Sequence, residues 1–192
     1  MGAFDALHVY FFGDDMFFWI SNDFVVTDLN WNGGVIAGGG AIVLNGTVPT
    51  ASFLGEVLGV SIVIGGNVTW ANAELKMQGG LRLEILQGGL LTVGVGNFGN
   101  NDGSCFFVDG GTLQKVLPNE NFVIKCQGTI RRTATTKVVE GGLFFEYPVQ
   151  NFGSRTLVEE GSSLTFMHSS SHSLSAAFHV LEGGDLRFST GQ

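Results

Sequence analysis

The stretch "VVEGGLFFEY", residues 138–147, decides the fold, because it returns twice in altered form before the chain ends. Glu140-Gly141-Gly142-Leu143-Phe144-Phe145 becomes Glu160-Gly161-Ser162-Ser163-Leu164-Thr165-Phe166, and then Glu182-Gly183-Gly184-Asp185-Leu186-Arg187-Phe188. Each copy is an acid, a small-residue turn and an apolar-x-apolar step, recurring about every 21 residues, a period in the range of stacked-repeat architectures. Related turn-plus-alternation segments lie upstream in "GGGAIVL" (38–44), "GVSIVIGG" (59–66), "QGGLRLEI" (78–85) and "DGGTLQKV" (109–116). Alternation at period two is the mark of a short strand with one buried face.

Composition agrees. The 192 residues include 30 Gly and 17 Phe but only 14% charged residues, and that much glycine without a G-X-Y period implies many sharp turns between apolar strands. No 12-residue window carries a sustained helical apolar pattern. A coil of two or three short strands with its turns uses about 21 residues, so the period predicts an all-β, right-handed parallel β-helix of about eight coils. The expected division is an N-terminal capping segment, 1–24, followed by the β-helix, 25–192. The alternative is a β-sandwich, for which Asn32-Gly33, Asn45-Gly46, Asp102-Gly103 and Asp109-Gly110 would serve as hairpin turns.

In the coil reading, the Leu and Phe of each repeat point inward and stack on their counterparts, the glycines supply the positive φ of the corners, and the preceding acid faces water. Strides of about 21 residues land on Ile42, Ile62, Leu83, Cys105, Cys126, Phe145, Phe166 and Phe188. Cys105 and Cys126 are therefore expected to stack in adjacent coils as two buried, reduced thiols. Arg131-Arg132, the only basic pair, reads as a solvated turn.

"WNGGVIAGGGAIVL" (31–44), "GGNVTWANAELKMQGGLRLEI" (65–85), "GGTLQKV" (110–116) and "TATTKVVEGGLFFEYPVQNFGSRTLVEEGSSLTF" (133–166) resemble the repeat blocks of very large secreted or cell-surface β-helix proteins of the adhesin kind. That resemblance implies an extracellular structural or adhesive segment with no catalytic residues to carry over. Residues 1–24 and "SCFFVDG" have no counterpart in it.

Function classes narrow accordingly. A net charge of −8 offers nothing to a phosphate backbone, which argues against nucleic-acid binding. The apolar N-terminus has no basic leader and is interrupted by Asp5, Asp14 and Asp15, so no membrane span is expected. His168, His172 and His179 have neither of the spacings that stacked or single-strand ligands need, and read as part of a Ser-rich surface loop. No catalytic residue, metal or cofactor is expected. Asn45 and Asn67 stand in glycosylation sequons placed on one face a coil apart, and Asn97, Asn100, Asn101 and Asp102 form a candidate ligand loop in "GVGNFGNNDG" (94–103).

The expected function is that of a non-catalytic structural or adhesive module at a cell surface or in a self-assembling protein. Carbohydrate binding or polysaccharide degradation is one alternative; the other is a subunit of an intracellular or viral assembly. The last repeat reaches Phe188, four residues from the end of the sequence. Its coil is expected to pair with another copy, as a homo-oligomer or end-to-end assembly, or to continue into further coils of a longer protein.

Overall fold

A computed structural model describes residues 8–12, 17–48, 53–78, 82–99, 106–126, 129–151, 153–168 and 170–189. Among the described residues there is no α-helix, and strand follows strand from His8–Phe12 to Asp185–Phe188. The strands form a 15-stranded sheet and an eight-stranded sheet. Pairing is parallel throughout the ladders, from His8↔Asp28 to Phe166↔Phe188. Parallel pairing of strands about 20 residues apart excludes the hairpins of a sandwich and leaves a β-solenoid of stacked coils.

Each coil contributes to three walls. Wall III is the eight-stranded sheet, from Phe24–Val26 through Ala41–Leu44, Ser61–Ile64, Arg82–Ile85, Phe106–Asp109, Thr129–Arg132 and Val149–Asn151 to Ser171–His172. The larger sheet supplies walls I and II, which run together along the long strands Asp28–Gly38, Asn67–Gln78 and Leu90–Gly99. Further along the stack they separate, into Thr112–Lys115 and Asn121–Lys125, Thr135–Val138 and Gly142–Phe145, Arg155–Val158 and Ser163–Phe166, then Ala177–Val180 and Asp185–Phe188. Within the segment expected as a cap, His8–Phe12 pairs in parallel with the first part of Asp28–Gly38 and Phe17–Ile20 with its second part.

The opening repeat behaves as its alternation predicts. Leu143, Leu164 and Leu186 are register mates on wall II, and so are Phe145, Phe166 and Phe188. The three Phe rings stack nearly parallel, with centroids 5.4 Å and then 5.2 Å apart at 9° and 8°. Spacing near the strand separation of about 4.8 Å shows rings stacked rung upon rung. The corner glycines Gly141, Gly161 and Gly183 take φ of 74°, 70° and 79°. At Gly141 a Cβ would also lie 2.3 Å from the Glu120 carbonyl oxygen, so that corner admits no side chain.

The fixed stride is corrected. Ile42, Ile62 and Leu83 are indeed one ladder, but it continues through Phe107, Ile130 and Val149 on wall III. Phe145, Phe166 and Phe188 belong to wall II, where their ladder runs back through Ile124 and Phe98 to Leu75 and Gly55. The step from Phe24 to Ile42 is 18 residues and that from Leu83 to Phe107 is 24, so a constant stride slips between walls. Cys126 follows Lys125, whose mate on the coil before is Gly99; the expected stacking of Cys105 on Cys126 falls on a residue outside the described ones. Cys126 is buried and disulfide-bonded rather than a free thiol; the only other cysteine, Cys105, lies outside the described residues.

Candidate functional site

Two features stand out from an otherwise aliphatic and aromatic interior. The first is a buried polar cluster on the inner face of walls I and III. Along wall III one inner ladder runs Val26, Leu44, Ile64, Ile85, and then changes to Asp109 and Arg132, with His172 in register two rungs further on. Period-two alternation from Phe107 and Ile130, both fully buried, is what aims Asp109 and Arg132 inward. This corrects two expectations: Asp109 does not face water at its corner, and of the Arg131-Arg132 pair only Arg131 is exposed.

Arg132 is held from several coils. Its Nε donates to Thr136 Oγ1 at 3.1 Å and its Nη2 to Thr156 Oγ1 at 2.9 Å. The guanidinium lies 5.3 Å from the Phe145 ring centroid and 5.8 Å from that of Phe166, within cation–π range. The Thr136 hydroxyl donates in turn to Asp109 Oδ2 at 3.4 Å, so it bridges cation and anion. Asp109 Oδ1 is buried with no hydrogen bond. Removal from water pushes the Asp109 carboxyl up to about 7 against the opposing pull of Arg132, and lowers Arg132 to about 10. His172 is lowered as well, first by partial burial and then by the Arg132 charge.

A second buried cation, Lys115, occupies an inward position of wall I by the alternation from Leu113. Its ammonium turns into the corner beyond and donates to the carbonyls of Val116 at 2.5 Å, Leu117 at 2.9 Å and Glu140 at 3.2 Å. Leu117 and Asn119 there have positive φ, 87° and 59°. Lys115 thus fastens an irregular corner to the next coil.

The second feature is the C-terminal coil. Ser171–His172, Ala177–Val180 and Asp185–Phe188 each pair with a strand on one side only among the described residues. Phe188 is 54% exposed and Val180 39%, although their register mates one coil earlier, Phe166 and Val158, are fully buried. His172 stands edge-on to Phe166, Phe178 and Phe188 at 5.7, 5.3 and 5.3 Å. The last described coil thus presents an aromatic interior open at its face and, among the described residues, bordered by three strand edges.

The other candidates are dispersed. Asn45 and Asn67 are both exposed, but Asn67 is in register with Thr47, so the sequons share a corner two residues out of line. Asn97 lies not in a loop but within Leu90–Gly99, where it pairs with Glu74 and Val123; Asn100, Asn101 and Asp102 lie outside the described residues. His168 stacks on Tyr147 at 5.9 Å, and His179 is exposed on wall I, so the three histidines do not converge.

Two surface grooves are lined by one carboxylate each. One, of about 600 Å³, has Glu84, Gln87, Gly110, Thr112 and Thr133 in its walls; the other, of about 270 Å³, has Asn121, Lys125, Phe144, Glu146 and Met167. Glu84 is paired with Arg82 at 2.8 Å and Glu146 lies 3.9 Å from Lys125. No helix among the described residues is long and apolar enough to cross a membrane.

Comparisons with protein-family models, with curated proteins and with solved structures each find no match to this chain.

Proposed function

We propose that the chain is a non-catalytic, structural β-solenoid module of an extracellular or cell-surface assembly, and that it associates end to end with another copy through its C-terminal coil. The observation that carries this reading is the open coil itself. Among the described residues it offers three strand edges with no further partner, around Phe178, Leu186 and Phe188, whose register mates one coil earlier are buried. Natural sheets cover or blunt such edges, because bare N–H and C=O rows recruit further strands. A second coil stacked there would extend the Phe145–Phe166–Phe188 column by one ring.

The disulfide at Cys126 supports an oxidising compartment, where such bonds persist. A sugar-cleaving site needs two carboxylates about 5–10 Å apart, whereas each groove offers a single carboxylate beside a cation.

Multi-angle light scattering tests the proposal. The mass of the 192-residue chain is expected to rise with concentration, and the double variant Val180→Lys/Phe188→Lys, which places charges on two already exposed side chains, is expected to remain monomeric. A wild-type chain that stays monomeric at millimolar concentration overturns the reading.

A further inference from the structure

The polar cluster inside the stack has no part in the association above, and a stack this apolar gains nothing in stability from burying an acid. Replacing a buried ion pair by packed hydrophobic groups is commonly neutral or stabilising, and the same wall III ladder is filled by Val26, Leu44, Ile64 and Ile85 in the earlier coils. We propose that Asp109 is a proton-binding site built into the interior of the solenoid, flanked by Arg132 and bonded by Thr136, so that the folded stack takes up and releases a proton without unfolding.

The geometry supplies what such a site needs. The carboxyl is fully buried, so its charged form has lost its water. The Thr136 bond is long and Oδ1 has no hydrogen bond, and together with the Gly111 backbone N–H these favour the charged form less than burial disfavours it. The compensating cation is itself committed elsewhere, to Thr136, Thr156 and the faces of Phe145 and Phe166. Asp109's neighbour on the coil before is the aliphatic Ile85 and that on the coil after is Arg132. Across the interior, Lys115 directs its ammonium to corner carbonyls, and His172 lies two rungs beyond Arg132. Among the described residues Arg132 is thus the charge that acts on the carboxyl.

A carboxyl whose folded-state pKa, about 7, exceeds the 3.8 of the exposed group binds its proton more tightly in the folded chain. Its contribution to stability is full below pH 3.8 and is lost as pH rises through about 7. Relative to Asp109→Asn, which cannot titrate, the folding equilibrium constant of the wild type should fall up to tenfold per pH unit across that window, about a thousandfold in all. Denaturant titrations of both chains at several pH values measure the ratio.

Carbon-13 NMR of aspartate-labelled wild type reports the same proton directly and does not depend on the variant folding. One carboxyl should titrate near neutrality while the chain stays folded, and Thr136→Val, which deletes the hydroxyl donor to Oδ2, should move that midpoint upward. A flat stability ratio together with every aspartate titrating in the ordinary range overturns the proposal. Both readouts concern the interior of a single chain, so the outcome is independent of whether copies associate.

Discussion

Truncating Phe166 to alanine probes the aromatic column where it is most constrained. The ring is fully buried, stacked on Phe145 at 5.4 Å and on Phe188 at 5.2 Å, edge-on to Phe178 at 6.2 Å, and faced by the Arg132 guanidinium at 5.8 Å. Phe→Ala in a core costs about 3–5 kcal/mol from lost transfer energy and the cavity left behind. Aromatic pairs add about 0.5–1.5 kcal/mol beyond area burial, and a desolvated cation–π contact up to about 2 kcal/mol. Four such contacts on one ring place Phe166→Ala at the top of the range, about 5 kcal/mol. Phe166→Leu keeps most of the volume and loses the stacking, and should cost about 1.5 kcal/mol. The control is Phe144→Ala, one residue from the register mate and pointing outward, at about 1 kcal/mol. Urea unfolding followed by circular dichroism reads all three. If Phe144→Ala proves as costly as Phe166→Ala, the inward column is wrong.

Other outcomes follow from single positions. Gly66→Ala would place a methyl 2.2 Å from the Gly46 carbonyl oxygen and should abolish folding or cost at least about 3 kcal/mol, whereas Gly39→Ala meets nothing within 4 Å and should change stability by less than about 0.5 kcal/mol in thermal melts. Lys115→Met removes three charge-assisted bonds to corner carbonyls and should cost about 3 kcal/mol in chemical denaturation. Thiol labelling of the unreduced chain should find no reactive cysteine, and reductant should lower stability by about 2–4 kcal/mol.

The solenoid was legible because its determinants are local. Glycine corners and period-two alternation state where each strand starts and which side chains turn inward, and around Leu143–Phe145, Leu164–Phe166 and Leu186–Phe188 that information is complete. The coil period was legible only on average, since corners of different length make each rung 18 to 26 residues from the next. The interior cluster was missed for a physical reason. "DGG" before a strand has the composition of an exposed corner, and two adjacent arginines look solvated by type. The available signal was parity, because Phe107 and Ile130 in the core force Asp109 and Arg132 to the same side, and Leu113 does the same for Lys115. Opposite charges one coil apart at matched parity are the pattern that betrays a buried pair. The strand edges of the last described coil, in contrast, were expected from the last repeat, which reaches Phe188.

Distances along wall III test the stacked-coil architecture most directly. Val25, Val43, Val63, Glu84, Val108, Arg131, Gln150 and Ser171 form one outward ladder, successive rungs apart. Nitroxide labels on cysteines introduced at Val25 and Arg131, five rungs apart, should lie about 24 Å from each other by pulsed electron paramagnetic resonance, and those at Val25 and Ser171, seven rungs apart, about 34 Å, at about 4.8 Å per rung. A distance that fails to grow with rung number, with Ser171 as near to Val25 as Arg131 is, would contradict the stack.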